Sequence, residues 1–170
     1  MRQLLVLPLL IATLVLSACA TVSRVDASND VHALLIAIRD NDGATFDRHV
    51  DKVALKRQLE SRIVEQTRQS GAPDGLKALG YMLSRSVADL AGDALLRPTV
   101  FRTAAEFYGY RPTMPIPGRL AIASALRPIG GGRVCAARSE KGPCLLTFAN
   151  QGGVWKLVSF DGAISELKLP

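Results

Sequence analysis

The hydrophobic pattern of this chain changes type once, and that change restricts the fold more than any motif does. From Val31 to about Phe107, apolar residues recur at helical intervals. From about Leu120 to Phe160 they fall in short runs rich in Val, Leu, Phe and Trp, separated by Gly-containing turns. Helices first and hairpins after them predict an α+β fold, with N-terminal helices packed on a C-terminal antiparallel sheet of three to four strands. A length of 170 residues, 48% hydrophobic and 21% charged, suits one folded domain with a sizeable core.

In the helical half, "VHALLIAIR" predicts a first short helix, ended by the polar turn "DNDG". A second short helix is expected over Ala44 to His49. Asp51 reads as the N-cap of a longer helix from Lys52 to about Gln69, with Val50 and Leu55 placed for a hydrophobic staple. Leu55, Leu59 and Ile63 form its inward stripe, and Arg57, Glu60, Glu65 and Arg68 its wet face. Asp74 is placed to cap a further helix carrying Leu76, Leu79, Leu83, Val87 and Leu90, with Gly80 and Gly92 allowing close packing. Pro98 suits the first turn of another helix, running to about Phe107. The strand half holds "RVCAA", "CLLTFAN" and "VWKLVSF", joined by the hairpin-length connections SEKGP and NQGG. "LAIASALR" is ambiguous. Its alanines favour a helix, while the spacing of Leu120, Ile122 and Leu126 favours a fourth strand, which is the expectation adopted.

The amino terminus carries an apolar run from Leu4 to Leu16, preceded by Arg2 and followed by small residues. No charge occurs between Arg2 and Arg24, so a bilayer span of about 20 residues is formally available. The shorter run and its flanks instead fit a signal peptide. Leu16-Ser17-Ala18-Cys19 resembles the lipobox of bacterial lipoproteins at all four positions. That resemblance implies cleavage after residue 18 and lipid attachment at Cys19, giving a signal peptide (1–18), an anchored tether (19–29) and a single domain (30–170). Residues 20–29 show no apolar periodicity and reach at most about 35 Å when extended. Ala20 after the cysteine, where the resembling family often has a retaining Asp, implies the periplasmic face of the outer membrane in a Gram-negative cell.

Cys135 and Cys144 are then the two remaining cysteines, and an exported protein lives where disulfides persist. They flank a turn-rich centre, so a hairpin can set them opposite one another within bridging range. Two buried free thiols are the alternative. No His or third Cys lies at a zinc-site spacing, and no metal or cofactor is expected.

"ALLIAIRDNDGATFDRHVDKVALKRQL" resembles the opening of the bacterial domain of unknown function 2939 family. "LLRPTVFRTAAEF" is similar to a later helix of that family, with Pro98-Thr99 in reversed order, and "GGVWKLVSF" to its closing strand. The resemblance spans roughly residues 33 to 160 and implies no known activity. A broader resemblance, at the level of fold alone, is to small α+β cone folds in which helices cover a curved sheet.

Signs of catalysis are sparse. His32 and His49 have no nearby Ser or Cys nucleophile motif, and solvated or capping roles are expected for them. "DNDG" fails as an EF-hand, because Ile38 and His49 stand where the first Asp and the bidentate Glu belong. "GGG" at 130–132 lacks the Lys-Ser/Thr pair of a phosphate loop and reads as a turn. Trp155 is expected to pack in the core.

Charge is distributed unevenly. Residues 97–141 carry Arg97, Arg102, Arg111, Arg119, Arg127, Arg133, Arg138 and Lys141 against only Glu106 and Glu140. Arginines suit bidentate phosphate or carboxylate contacts, so these seven are candidate anion-binding residues. An evenly solvated basic surface is the alternative. The export signal disfavours nucleic acid as a partner. The expected function is a non-enzymatic binding module for an apolar or anionic envelope molecule, held between helices and sheet. The alternatives are a structural lipoprotein meeting an envelope protein or the cell wall, and a hydrolase.

Overall fold

Between Pro8 and Asn41 the chain contains neither glycine nor proline, and the computed structural model shows this stretch within one helix, α1 (Val6–Asp40). The structure describes residues 6–69, 92, 94–107, 109–137, 139 and 141–161, with side-chain surroundings from residue 22 on. Asn41 ends α1 in the left-handed region (φ 58°), and the Asp42 N–H reaches back to the Ala37 carbonyl at 2.9 Å, a Schellman closure. The segment expected to be a tether is therefore helical. Ala27 is fully buried and Ser28 is 1% exposed. The inward stripe is Ala27, Val31, Leu34 and Ala37, and the small residues in it disguise the helical period.

Asp42 caps α2 (Gly43–His49), taking the Thr45 N–H at 3.1 Å and the Thr45 hydroxyl at 2.6 Å. Asp51 caps α3 (Lys52–Gln69) through the Ala54 N–H at 2.9 Å, as expected, and both staple residues, Val50 and Leu55, lie in the core. Leu59 and Ile63 are only half-buried. Helix α4 (Pro98–Phe107) begins at its proline. The expected helix over Leu76 to Leu90, with Asp74 and Gly80, lies outside the described residues. Gly92 does mark a close approach: a Cβ there would stand 2.6 Å from Lys56 Cγ on α3.

"LAIASALR" divides in two. Residues Arg119–Ala125 form helix α5, and the fourth strand begins only at Leu126. Leu120 is 82% exposed, whereas Ile122 and Leu126, four residues apart, are both buried. The alternation that pointed to a strand included a side chain that never enters the core.

Strands β1 (Leu126–Gly130), β2 (Arg133–Ala136), β3 (Leu146–Gln151) and β4 (Val154–Phe160) form an antiparallel meander in sequence order. Gly131 and Gly132 turn the first hairpin and Gly152 and Gly153 the last, all with positive φ, which only glycine adopts freely. Val134, Phe148 and Leu157 stand in register on the inner face, and Arg127, Cys135, Thr147 and Ser159 on the outer. The helices close the inner face: Phe46 is fully buried and meets Phe101 edge-on at 5.2 Å. A parallel bridge, Val50 to Leu157, ties the α2–α3 link to the edge of β4. The arrangement is α+β, with helices on one face of a C-terminal antiparallel sheet. From residue 22 on, no helix among the described residues is long and apolar enough to cross a membrane.

Candidate functional site

Asp26 and Asp30 lie one turn apart on α1 and so share a face. Both turn towards Trp155 at the start of β4. The indole N–H donates to Asp26 Oδ2 at 2.8 Å, and the Trp155 backbone N–H donates to Asp30 Oδ2 at 2.8 Å. The other Asp30 oxygen faces His49 Nε2 at 3.3 Å, and His49 Nδ1 stands 2.8 Å from the Thr45 carbonyl. His49 is 5% exposed and Trp155 is 3% exposed. A carbonyl only accepts, so the contact with Thr45 is made by hydrogen on Nδ1. This network joins α1, α2 and β4. The arrangement is a latch, since Asp26, Asp30, His49 and Trp155 each engage a partner on another element or turn. Sequence reasoning placed Asp26 in a tether and gave Asp30 no role; the signal available was the i, i+4 pair in a chain with a single Trp.

A second polar cluster ties α3 to the end of β4. Gln58 accepts the Phe160 N–H at 3.0 Å, and Arg62 Nη2 donates to the Phe160 carbonyl at 2.6 Å and to Asp161 at 3.1 Å. Gln151 Nε2 donates to Asp51 Oδ2 at 2.7 Å. Partial burial raises the Asp51 pKa, but the hydrogen bonds from Gln151 and the Ala54 N–H, helped by Lys156 and the Val53 N–H, outweigh it and hold the carboxyl below its ordinary range. Asp42 is held low chiefly by the Thr45 hydroxyl. His32 Nδ1 meets the Pro117 carbonyl at 3.0 Å, a structural contact between α1 and the loop before α5.

The candidate arginines are dispersed. Arg97 is exposed in the turn before α4, and Arg102 on α4 pairs with Glu106 at 3.7 Å. Arg111 is exposed in a loop, Arg119 is exposed at the start of α5, and Arg133 is exposed at the start of β2. Arg138 lies outside the described residues. Arg127 is half-buried on β1, and its Nη2 donates to the Gly142 carbonyl at 3.1 Å.

Cys135 and Cys144 form a disulfide, with Cα atoms 5.5 Å apart. They are not paired across the hairpin as expected. Cys135 pairs with Thr147, and Cys144 precedes β3 in the connecting loop, so the bridge ties loop to strand. Cys19 falls within the span of α1. Three and six residues on, Val22 and Val25 are 67% and 46% exposed, and with Asp26 and Asn29 they line a shallow surface depression. The inner face of the sheet, where a ligand space was expected, is occupied by Phe46, Val134, Phe148, Trp155 and Leu157. Among the described residues no group of three or more His, Cys, Asp or Glu side chains is placed to hold a metal ion.

No curated protein and no solved structure matches the chain. One family model, described as a protein of unknown function (DUF2939), matches residues 12–104, a segment running from α1 into α4 and leaving the sheet outside the match. With more than half its length matched, the chain belongs to the DUF2939 family.

Proposed function

We propose that this protein is a non-enzymatic lipoprotein of the bacterial envelope, acylated at Cys19, which engages an apolar or anionic envelope component over its surface rather than enclosing it. The observation that carries this reading is the exposed pair Val22 and Val25 beside the candidate lipid site. At 1.5 Å per residue, a continuous helix sets these side chains about 5 and 9 Å along the axis from Cys19. The headgroup zone is several ångströms deep, so an acylated Cys19 brings the valines to the boundary of the bilayer. The filled helix–sheet interface favours surface engagement over an internal ligand. The exposed Arg111, Arg119 and Arg133 supply cationic contacts for phosphate or carboxylate groups.

The test is export of the full chain in a bacterium fed an alkyne fatty acid. Label on the wild type, and an unprocessed, unlabelled Cys19→Ser precursor, support the anchor. Mature-sized protein from Cys19→Ser refutes it. With acylation established, vesicles of phosphatidylethanolamine and phosphatidylglycerol are added to protein carrying a polarity-sensitive dye at Val22→Cys. A blue shift supports surface engagement, and an unchanged spectrum refutes it.

A further inference from the structure

We propose that the Cys135–Cys144 bridge is a thiol–disulfide exchange site, with Arg127 as the group that receives the departing Cys135 thiolate. This inference is independent of the lipid anchor. Arg127 Nη2 lies 3.8 Å from Cys135 Sγ and 3.7 Å from Cys144 Sγ, so one guanidinium faces both sulfurs. The register explains how it gets there, because Arg127 pairs directly with Cys135 across β1 and β2 on the outer face of the sheet. The same Nη2 holds the Gly142 carbonyl at 3.1 Å, keeping the loop that carries Cys144 over the guanidinium. The two sulfurs are not equivalent: Cys135 is fully buried and Cys144 is half-buried.

A neighbouring cation stabilises a thiolate, and a stabilised thiolate leaves a disulfide faster. Neither sulfur is charged while the bond is intact, so the electrostatic gain from the guanidinium at the sulfurs comes when the bond opens and a thiolate forms beside it. The inequality of burial sets the direction. A thiolate from an external dithiol attacks Cys144 Sγ, the S–S bond breaks, and its electron pair goes to Cys135 Sγ, which remains beside Arg127. The second thiol of the dithiol then loses its proton and displaces Cys144, which takes up a proton. The dithiol is oxidised by two electrons and the protein disulfide is reduced. Counted from the fully protonated dithiol, one proton is released, the one lost in forming the attacking thiolate, because the reduced pair is a Cys135 thiolate and a Cys144 thiol. Gly142 remains tethered to Arg127, so the reduced loop stays near its place and the bridge can reform.

The experiment follows reduction of the full-length protein by dithiothreitol, with maleimide trapping and mass readout, for wild type, Arg127→Lys and Arg127→Gln. Each is measured folded and in denaturant. The folded wild type is expected to reduce at least as fast as its denatured form. Arg127→Gln, which keeps a donor for Gly142 but no charge, should be about tenfold slower when folded, as expected for a thiolate deprived of its cation. Arg127→Lys should retain most of the rate, and the denatured forms should all react alike. Glutathione should be captured on Cys144. A folded wild type slower than its denatured form marks an inert staple and overturns the proposal, as does equal reduction of folded wild type and Arg127→Gln. Adducts mapping to Cys135 overturn the direction of attack. Arg127→Lys falling as far as Arg127→Gln assigns the effect to loop packing and also overturns it.

Discussion

Replacing Asp30 with Ala should destabilise the domain far more than the same change at Asp26, one turn away. Asp30→Ala orphans the Trp155 backbone N–H and leaves His49 Nε2 without its partner, on residues 3% and 5% exposed. Each buried polar group left unsatisfied costs about 1–3 kcal/mol, so the expected loss is about 3 kcal/mol. For a domain of this size that is about 10 °C in Tm. Asp26 is exposed and accepts a single bond from the indole, so Asp26→Ala should cost about 1 kcal/mol. Asp30→Asn is the internal control. Its amide oxygen still accepts from Trp155 and its NH2 can donate to a neutral Nε2, so it should cost about 1 kcal/mol. Urea unfolding followed by Trp155 fluorescence measures all three variants, with unchanged m-values expected. Equal midpoints for Asp30→Ala and Asp26→Ala would refute the latch, and a loss at Asp30→Asn as large as at Asp30→Ala would refute the hydrogen-bond account of it.

Further outcomes follow from other parts of the fold. Ile122→Ala should cost about 2–4 kcal/mol by opening a cavity under α5, whereas Leu120→Ser should fall within about 0.5 kcal/mol of wild type; comparable losses would mean that α5 is rotated. Replacing both Cys135 and Cys144 by Ser should cost about 2–3 kcal/mol, the chain entropy of a loop closed over nine residues, read as a lower urea midpoint. Asp42 and Asp51 have depressed folded pKa values, so their contribution is full above the ordinary carboxylate range and is lost as pH falls through the folded values. The double change Asp42→Asn, Asp51→Asn should therefore lower stability at pH 7 and flatten its decline below about pH 4, and an acid limb as steep as wild type would contradict this.

Cap residues and turn glycines are legible in the sequence because their effects are local. Asp51 has the N–H groups of its own first helical turn within reach whatever the rest of the chain does, and the glycine pairs at the hairpin tips adopt positive-φ conformations that other residues enter at a cost. The helix-to-strand division is legible for a related reason: the period of the hydrophobic residues follows directly from backbone geometry. Sequence patterning misreads residues 22–29 and 120–127, where burial does not follow hydrophobicity. Ala27 and Ser28 are buried because α1 approaches its neighbours closely, and Leu120 is exposed because α5 turns it outward. No window of sequence contains either fact.

The latch is the clearest case of what tertiary structure alone decides. Trp155 stands 125 residues from Asp30 and 129 from Asp26, and His49 is 19 from Asp30, so no spacing rule connects them. The same holds for Arg127, which reads from sequence as one of seven candidate anion ligands and in the fold faces two sulfurs. Its position depends on strand register, which emerges only when the inner face chooses Val134, Phe148 and Leu157 for the core. The α+β class, the Asp51 cap, the glycine turns and the presence of two bridgeable cysteines are written in the chain itself, all of them matters of local geometry or composition. Which carboxylate meets the tryptophan and which arginine meets the disulfide were settled by packing, because the free energy that holds those contacts comes from burying side chains far apart in the chain.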